Sequence, residues 1–269
     1  MIANALRLLA CLSLVVSTTA LAATPPTVFV EELTWTELRD AVRSGKTTIV
    51  VPIGGTEQNG PHMTLGKHNV RVKALSERIA QSLGNALVAP VLAYVPEGGV
   101  NPPTAHMRFP GTITMPDATF ERVVEYAVRS FRLHGFRDVV LLGDHGGYQA
   151  SLKAVAGRLN REWGAAGVRV HAIEEYYRAG ETTYAQALRS RGLSDGEIGT
   201  HAGLADTSLA LAVDPRLVRT DRLQGGEAAG RAEGVYGDPR RSSAELGQLG
   251  VDAIVGETVA AIRRAIAHR

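Results

Sequence analysis

Hydrophobic residues in this chain occur in two arrangements: short continuous runs and longer segments with helical spacing. Four β-rich runs stand out, namely "TTIVVPIG" (47–54), "ALVAPVLAY" (86–94), "DVVLLGD" (138–144) and "VRVHAI" (168–173). Continuous apolar runs of this length are typical of strands buried on both faces. The pattern therefore predicts strands in the interior of a largely parallel sheet.

Amphipathic segments separate these runs. "TWTELRDAVRSG" has Thr34 and Glu37 in the register of a helix capping box and ends at Gly45. Apolar residues at helical spacing predict further helices at Val72, Leu75, Ile79 and Leu83; at Phe120, Val124, Ala127 and Phe131; at Leu152, Val155 and Leu159; and at Val251, Val255, Val259, Ile262 and Ile266. Alternating strands and helices predict an α/β fold, a three-layer α/β/α sandwich with a mostly parallel central sheet.

Two stretches lack this periodicity. Residues 95–116 are rich in Pro and Gly, which predicts an ordered functional loop with a short strand at "GTITM". Residues 222–250 are predicted to form a second irregular segment. Neither resembles a linker between domains. We expect residues 23–269 to form a single domain.

The first 22 residues have the features of a secretory signal peptide. An early Arg7 precedes an apolar core that closes on Ala20-Leu21-Ala22, a small-x-small cleavage site. The segment is too short and too soon interrupted for a membrane span. We expect cleavage after Ala22 and a secreted or periplasmic protein without a membrane span; Cys11 lies too early for a convincing lipidation site.

Composition excludes several classes of function. The net charge is +2, which gives no indication of binding to nucleic acid or to an anionic membrane. Cys11 is the only cysteine, so the mature protein has no disulfide, thiolate zinc site or cysteine nucleophile. No G-x-S-x-G elbow directly follows a predicted strand, and the chain lacks a P-loop and a G-x-G-x-x-G after its first strand.

Candidate chemistry collects after the predicted strands. "EQNGPHMTLGKH" brings Glu57, His62 and His68 after the first run, and Asp144 and His145 end the third. Ligands in open α/β sheets bind beyond the carboxyl ends of the strands, so we expect these side chains on one rim. Each has a plain alternative, since a histidine in a glycine-rich turn is commonly a surface residue.

"GTHAGLADTSLALAV" (199–213) adds His201 and Asp206. Asp206 falls in the first turn of a predicted helix, where an acidic residue is also favoured by the helix dipole alone. Histidines and carboxylates together are ligands for a divalent cation: zinc, manganese or iron.

Several segments resemble the creatininase (creatinine amidohydrolase) family. "EQNGPHMTLGKH" matches that family's E-Q-H-G-P-H-L-P-L-G-T-D, and "HMRFPGTIT" matches a segment ending in F-P-G-T-I-S. "GDHGGY", "HAGLADTS" and "GVYGDP" match N-G-H-G-G-N, H-A-G-E-x-E-T-S and G-V-x-G-D-P. The resemblance covers about residues 30 to 265 and implies a single α/β domain, a dinuclear metal centre, hydrolysis of cyclic amides or related C–N bonds, and a homo-oligomer, commonly a hexamer.

Carried over by position, the resemblance gives Glu57, His145 and Asp206 as metal ligands. Asn59 stands where the family has a histidine, and His68 replaces the aspartate that bridges two metals. A carboxylate can join two cations, whereas a neutral imidazole offers one lone pair to one metal. We therefore expect Glu57, His68, His145 and Asp206 to hold one ion rather than two.

The resemblance implies metal-dependent hydrolysis of a C–N bond in a small-molecule substrate, with Glu57 and His201 as catalytic residues. His201 matches the family's H-A-G histidine and is the candidate to protonate the departing nitrogen. His62 and His106 are expected to orient ligands or close the pocket, and Asp144 to hold His145 or to occupy a surface turn. The alternative is a periplasmic binding protein on the same fold that has lost catalysis.

Overall fold

A parallel sheet forms the centre of the protein. The computed structural model describes residues 27–164, 166–223 and 230–267, and in these ranges the sheet has four strands in the order β2-β1-β3-β4. The strands are β1 (Thr48–Ile53), β2 (Ala86–Val88), β3 (Asp138–Gly143) and β4 (Arg169–Ala172). β1 and β3 pair over their whole length, from Thr48 opposite Asp138 to Ile53 opposite Gly143. Their carboxyl ends therefore finish side by side.

Helices cover both faces of this sheet. They are α1 (Trp35–Arg43), α2 (Lys67–Leu83), α3 (Asp117–Leu133), α4 (Gln149–Trp163), α5 (Glu175–Ala179), α6 (Ala185–Arg189), α7 (Asp195–Ile198), α8 (Leu204–Val213) and α9 (Ala244–Ala267). A π-helical turn, Gly180–Tyr184, joins α5 to α6. α1 begins with the predicted capping box between Thr34 and Glu37.

The alternation of side chains along β1 explains the two hydrophobic cores. Val50 faces a core built with α2, α8 and α9, whereas Ile49 and Val51 face a core built with α1, α3 and α4. Strand residues are buried on both faces, as continuous apolar runs require. The predicted three-layer α/β/α sandwich is confirmed, with a sheet that is entirely parallel.

Two predicted strands differ from the structure. β2 ends at Val88, not residue 94, because Pro90 has no N–H to continue the ladder. "GTITM" forms an isolated bridge between Thr114 and Val95 instead of a strand. Its threonine hydroxyls accept hydrogen bonds from the backbone of the site loops, as Thr114 does from the Glu97 N–H.

The predicted signal peptide, residues 1–22, and Cys11 lie outside the described residues. In the part of the chain that is described, no helix combines the length and apolar character needed to cross a bilayer.

Candidate metal centre

A buried tyrosine ties together the two strand ends that carry the site. The Tyr148 hydroxyl accepts hydrogen bonds from the backbone N–H groups of Asp144 and His145, each at 3.1 Å. It also contacts the carbonyl oxygens of Ile53 and Gly54 at 2.8 and 2.6 Å. The end of β3 is thereby fixed against the segment that leads from β1 to Glu57.

Four side chains converge at this edge of the sheet. Glu57, Glu97, His106 and His145 each offer one ligand atom, and these atoms lie within 4.8 Å of one another. Glu57 and His145 follow β1 and β3, whereas Glu97 and His106 come from the long loop between β2 and α3. Nε2 of His106 and of His145 lie 3.2 and 3.4 Å from Glu57 Oε2. We call these four residues the ligand cluster.

The carboxylates of the ligand cluster are buried without enough donors. Among the described residues, none donates a hydrogen bond to Glu57 Oε2 or to either oxygen of Glu97. Buried carboxylate oxygens are normally paired with a donor or a cation. Burial and the nearby Glu57 carboxylate raise the pKa of Glu97 to about 9. These oxygens and the two imidazoles fit a divalent cation.

The histidines of the ligand cluster are neutral near pH 7. Burial lowers the pKa of His145 to about 4 and also lowers the pKa of His106. A neutral imidazole has the lone pair that a metal ligand needs. The N–H of Gly147 and the amide of Gln58 hold these rings through Nδ1 of His145 and of His106, each at 3.1 Å.

Gly55 makes room for Glu97. Its φ angle is +154°, and a Cβ atom there would lie 2.7 Å from Glu97 Oε1. A side chain at position 55 would therefore push Glu97 away from the ligand cluster.

His68 does not join the ligand cluster. Its Nε2 donates to Glu57 Oε1 at 2.7 Å and its Nδ1 donates to Asp144 Oδ2 at 2.6 Å. Burial disfavours a charged ring, but the Glu57 and Asp144 carboxylates outweigh it and raise the pKa of His68. An imidazole that donates from both nitrogens is protonated and has no lone pair for a metal. The structure thus makes predicted ligand His68 an internal cation.

Asp206 also lies outside the ligand cluster. Its carboxylate accepts hydrogen bonds from Lys67, from Arg71 Nη1 at 2.6 Å and from the Ala202 N–H at 3.0 Å. Burial opposes ionisation, but Lys67 and Arg71 hold the pKa of Asp206 well below its usual value. It lies in the first turn of α8, as predicted, with its charge already neutralised by protein cations.

Asp144 contacts different partners from those predicted. It accepts from His68, from Arg71 Nε at 2.9 Å and from the Tyr176 hydroxyl at 2.7 Å. The structure shows neither the expected contact with His145 nor the alternative, a position in a surface turn. The Asp144 side chain is only 4% exposed and turns towards α2. Asp144 therefore positions His68 rather than His145.

Asn59 and His62 stabilise the loop around Glu57. The Asn59 amide donates to the carbonyl oxygens of Glu57 and Thr64, both at 2.9 Å. His62 Nε2 lies 2.9 Å from the Thr207 hydroxyl, which links the loop to α8. Burial lowers the pKa of His62 to about 4. Both side chains are buried and hold the loop that carries Glu57 in place.

His201 reaches the site with one nitrogen. Its Nε2 lies 3.0 Å from the Gln58 carbonyl oxygen and 3.1 Å from the Gln58 side-chain nitrogen, and its Nδ1 lies 3.7 Å from Glu57 Oε1. Burial and the Lys67 charge lower the pKa of His201 to about 3. The ring is therefore neutral near pH 7, with Nδ1 on the side of Glu57.

A cavity of about 510 Å³ borders these groups. The residues that line it include Lys67, His106, His145 and His201 and also apolar side chains such as Leu209 and Ile254. This volume lies in the range of small-molecule sites.

The residues predicted from the sequence do not include Glu97, Lys67 or Arg71. Glu97 is the only acidic residue of the 95–116 stretch, which is a usable signal in a segment already expected to be functional. Lys67 and Arg71 flank His68 within "GKHNVR", where cationic residues on a helix are usually exposed. The sequence offers no sign that they are buried.

Fold and site together define a three-layer α/β protein with a histidine and carboxylate cluster at the carboxyl edge of a parallel sheet. The sequence profile of the creatininase family (creatinine amidohydrolase) matches residues 31–262. The chain belongs to the creatininase family.

Relatives of known name bear different activities. The chain is 33% identical over 206 residues to the creatinine amidohydrolase of Pseudomonas putida, covering 73% of this chain and 75% of that protein. It is 28% identical over 242 residues to the mycofactocin precursor peptide peptidase of Mycobacterium ulcerans, covering 81% and 85%. The solved structure described as "Creatininase Mn" superposes with a TM-score of 0.73 at 30% identity, covering 89% and 98%.

Proposed function

We propose that the protein is a metal-dependent hydrolase of an amide-type C–N bond that uses one divalent ion held by Glu57, Glu97, His106 and His145. The observation that carries this proposal is the ligand cluster, in which three of the four buried carboxylate oxygens accept no hydrogen bond from the described residues. Relatives named for creatinine and peptide hydrolysis support the reaction class.

Zinc, manganese and iron all accept such a nitrogen and oxygen donor set. A divalent ion acidifies a water molecule from a pKa of ~15.7 towards ~7 and polarises a carbonyl oxygen. The protein's part is to hold the donors in place: Tyr148 fixes the strand ends, and Gly55 admits Glu97. The predicted ligands Glu57 and His145 remain in this set, and Glu97 and His106 replace His68 and Asp206.

His201 would move the proton. In the tautomer that carries its proton on Nε2, towards the Gln58 carbonyl oxygen, Nδ1 is unprotonated and placed to take a proton from the attacking water. The same nitrogen then returns the proton to the departing amine. A positioned acid and base of this kind contributes roughly 10²–10⁴ in rate.

The proposed substrate is a small molecule with a cyclic amide bond, or a short peptide. The apolar side chains of Leu209 and Ile254 line the 510 Å³ cavity together with His106 and His145 of the ligand cluster. Export and assembly into a homo-oligomer, a hexamer by family resemblance, remain predictions of the sequence.

The test is a hydrolysis screen with metal-free protein and with protein reloaded with Mn²⁺ or Zn²⁺. Creatinine, other lactams, formamides and short peptides form the panel. We expect turnover only in the reloaded protein, and loss of metal binding and turnover in His145→Ala. Turnover by metal-free protein would refute the proposal. Metal and ligand binding without turnover would support the inactive binding protein instead.

A further inference from the structure

Glu57 directs its two oxygens towards different charges. Oε2 faces His106 and His145 of the ligand cluster, at 3.2 and 3.4 Å. Oε1 accepts from His68 at 2.7 Å and lies 3.8 Å from Lys67 Nζ. One carboxylate thus stands between the candidate ion position and a pair of protein cations. That arrangement has the form of a carboxylate bridge between two positive centres.

Lys67 is buried beside this bridge. Its side chain is 1% exposed, yet it lines the 510 Å³ cavity together with His106 and His201. An ammonium has three N–H donors, and the described partners are Asp206, by a hydrogen bond, and Glu57, by charge. Lysine is rarely buried without a paired charge or a task. At least one N–H is therefore available to a molecule in the cavity.

Arg71 secures this arrangement. Its guanidinium spans Asp144 and Asp206, donating to them at 2.9 and 2.6 Å. Both carboxylates are thereby occupied by fixed cations of the protein. A second metal ion on this side of Glu57 would meet Lys67, Arg71 and His68 instead of free ligands.

We propose that Lys67 takes the place of a second metal ion and donates a hydrogen bond to the carbonyl oxygen of the substrate. This inference rests on the proposed function. When water attacks, a C–O bond forms and the carbonyl electrons move onto the oxygen, next to the Lys67 ammonium. When the C–N bond breaks, its electron pair goes to nitrogen, which takes the proton held by His201.

The first test compares Mn²⁺ binding by calorimetry in the metal-free wild type and Lys67→Gln. Removing a positive charge next to Glu57 relieves repulsion, so affinity should rise at least about tenfold, while turnover falls. Glutamine can still donate to Asp206, which retains Arg71. Lys153→Gln is the control, since Lys153 is half exposed and pairs with Glu174 away from the site. A merely structural role would weaken both properties, and unchanged or weaker Mn²⁺ affinity would overturn the inference.

The second test rebuilds the family motif in Asn59→His/Lys67→Thr/His68→Asp. Metal analysis should give one Mn²⁺ per wild-type chain and two per variant chain, with the paramagnetic resonance signal of a coupled pair. Two ions in the wild type, or one in a folded variant, would contradict the inference. A wild type that binds no metal would instead refute the proposed function. If the triple variant does not fold, the Lys67→Gln affinity decides.

Discussion

At the scale of single residues, the carboxyl groups of the site differ in whether a protein cation pairs with them. Glu57, Asp144 and Asp206 are each paired with protein cations, which favour their charged forms. Among the described residues, no lysine, arginine or protonated histidine pairs with Glu97, so burial and the neighbouring Glu57 charge raise its pKa to about 9. Its proton competes with a metal ion, and that competition sets the pH dependence of the centre.

Metal affinity should therefore rise with pH. Glu97 must lose a proton to bind an ion, whereas the imidazole of His145, with a pKa of about 4, is already neutral above pH 5. The apparent Kd for Mn²⁺ should fall about tenfold per pH unit from pH 6 to about 9 and level off above it. Calorimetry in buffers of different ionisation enthalpy should detect about one released proton. Glu97→Gln should bind weakly without this slope; a wild-type Kd independent of pH would contradict the assignment.

The same proton links pH to the stability of the metal-free protein. Because the folded-state pKa of Glu97 lies above its unfolded value of 4.5, its contribution is fully present below pH 4.5 and is lost as pH rises towards 9. Urea unfolding between pH 6 and 9 should show stability falling in the wild type more steeply than in Glu97→Gln. Parallel profiles would argue against a neutral Glu97.

Removing Arg71 should destabilise the fold through the buried carboxylates beside the site. Arg71→Met leaves Asp144 and Asp206 buried without their shared partner, which should cost about 3–5 kcal/mol in urea unfolding. The control is Arg122→Met, whose side chain is 62% exposed in its pair with Glu125, and it should cost less than about 1 kcal/mol. Equal losses in the two variants would mean that the buried network contributes little.

At the scale of elements, the packing of α8 on α9 holds Asp206 in place. Gly247 of α9 lies so close to α8 that a Cβ would meet the Ser208 carbonyl oxygen at 1.8 Å, whereas a Cβ at Gly256 of the same helix meets nothing within 4 Å. Gly247→Ala should lose about 1–3 kcal/mol through overpacking. Gly256→Ala should gain about 0.5–1 kcal/mol through helix propensity. Thermal unfolding separates them, and shifts in the same direction would refute this packing argument.

Elements were predictable where one residue pattern determines them. Apolar runs located β1 and β3, and the Thr34 capping box located the start of α1. The strand ends therefore also located Glu57 and His145. Glu97 and His106 could not be placed because the path of a long loop depends on contacts such as Thr114 to Glu97. Nor could the sequence show that Lys67 and Arg71 occupy Asp206, since that depends on how α2 packs on α8.

At the scale of the whole molecule, a bound ion should stabilise the fold, because the ligand cluster joins β1, β3 and the long loop. Ligand at 100 times its Kd adds about 2.7 kcal/mol, which corresponds to a rise of roughly 5–10 °C in Tm for a domain of this size. We expect this rise on adding Mn²⁺ or Zn²⁺ to chelator-treated protein and its absence in Glu97→Gln. An equal rise in Glu97→Gln would locate the ion elsewhere.

One ion should bind between Glu97 and His106 of the long loop and Glu57 and His145 at the strand ends. An anomalous difference map from crystals grown with Mn²⁺ would locate it. We expect a single peak in contact with Glu57 Oε2, Glu97, His106 and His145, with Lys67 still paired to Asp206. A peak bound by His68 and Asp206, or no peak near Glu57, would contradict this expectation.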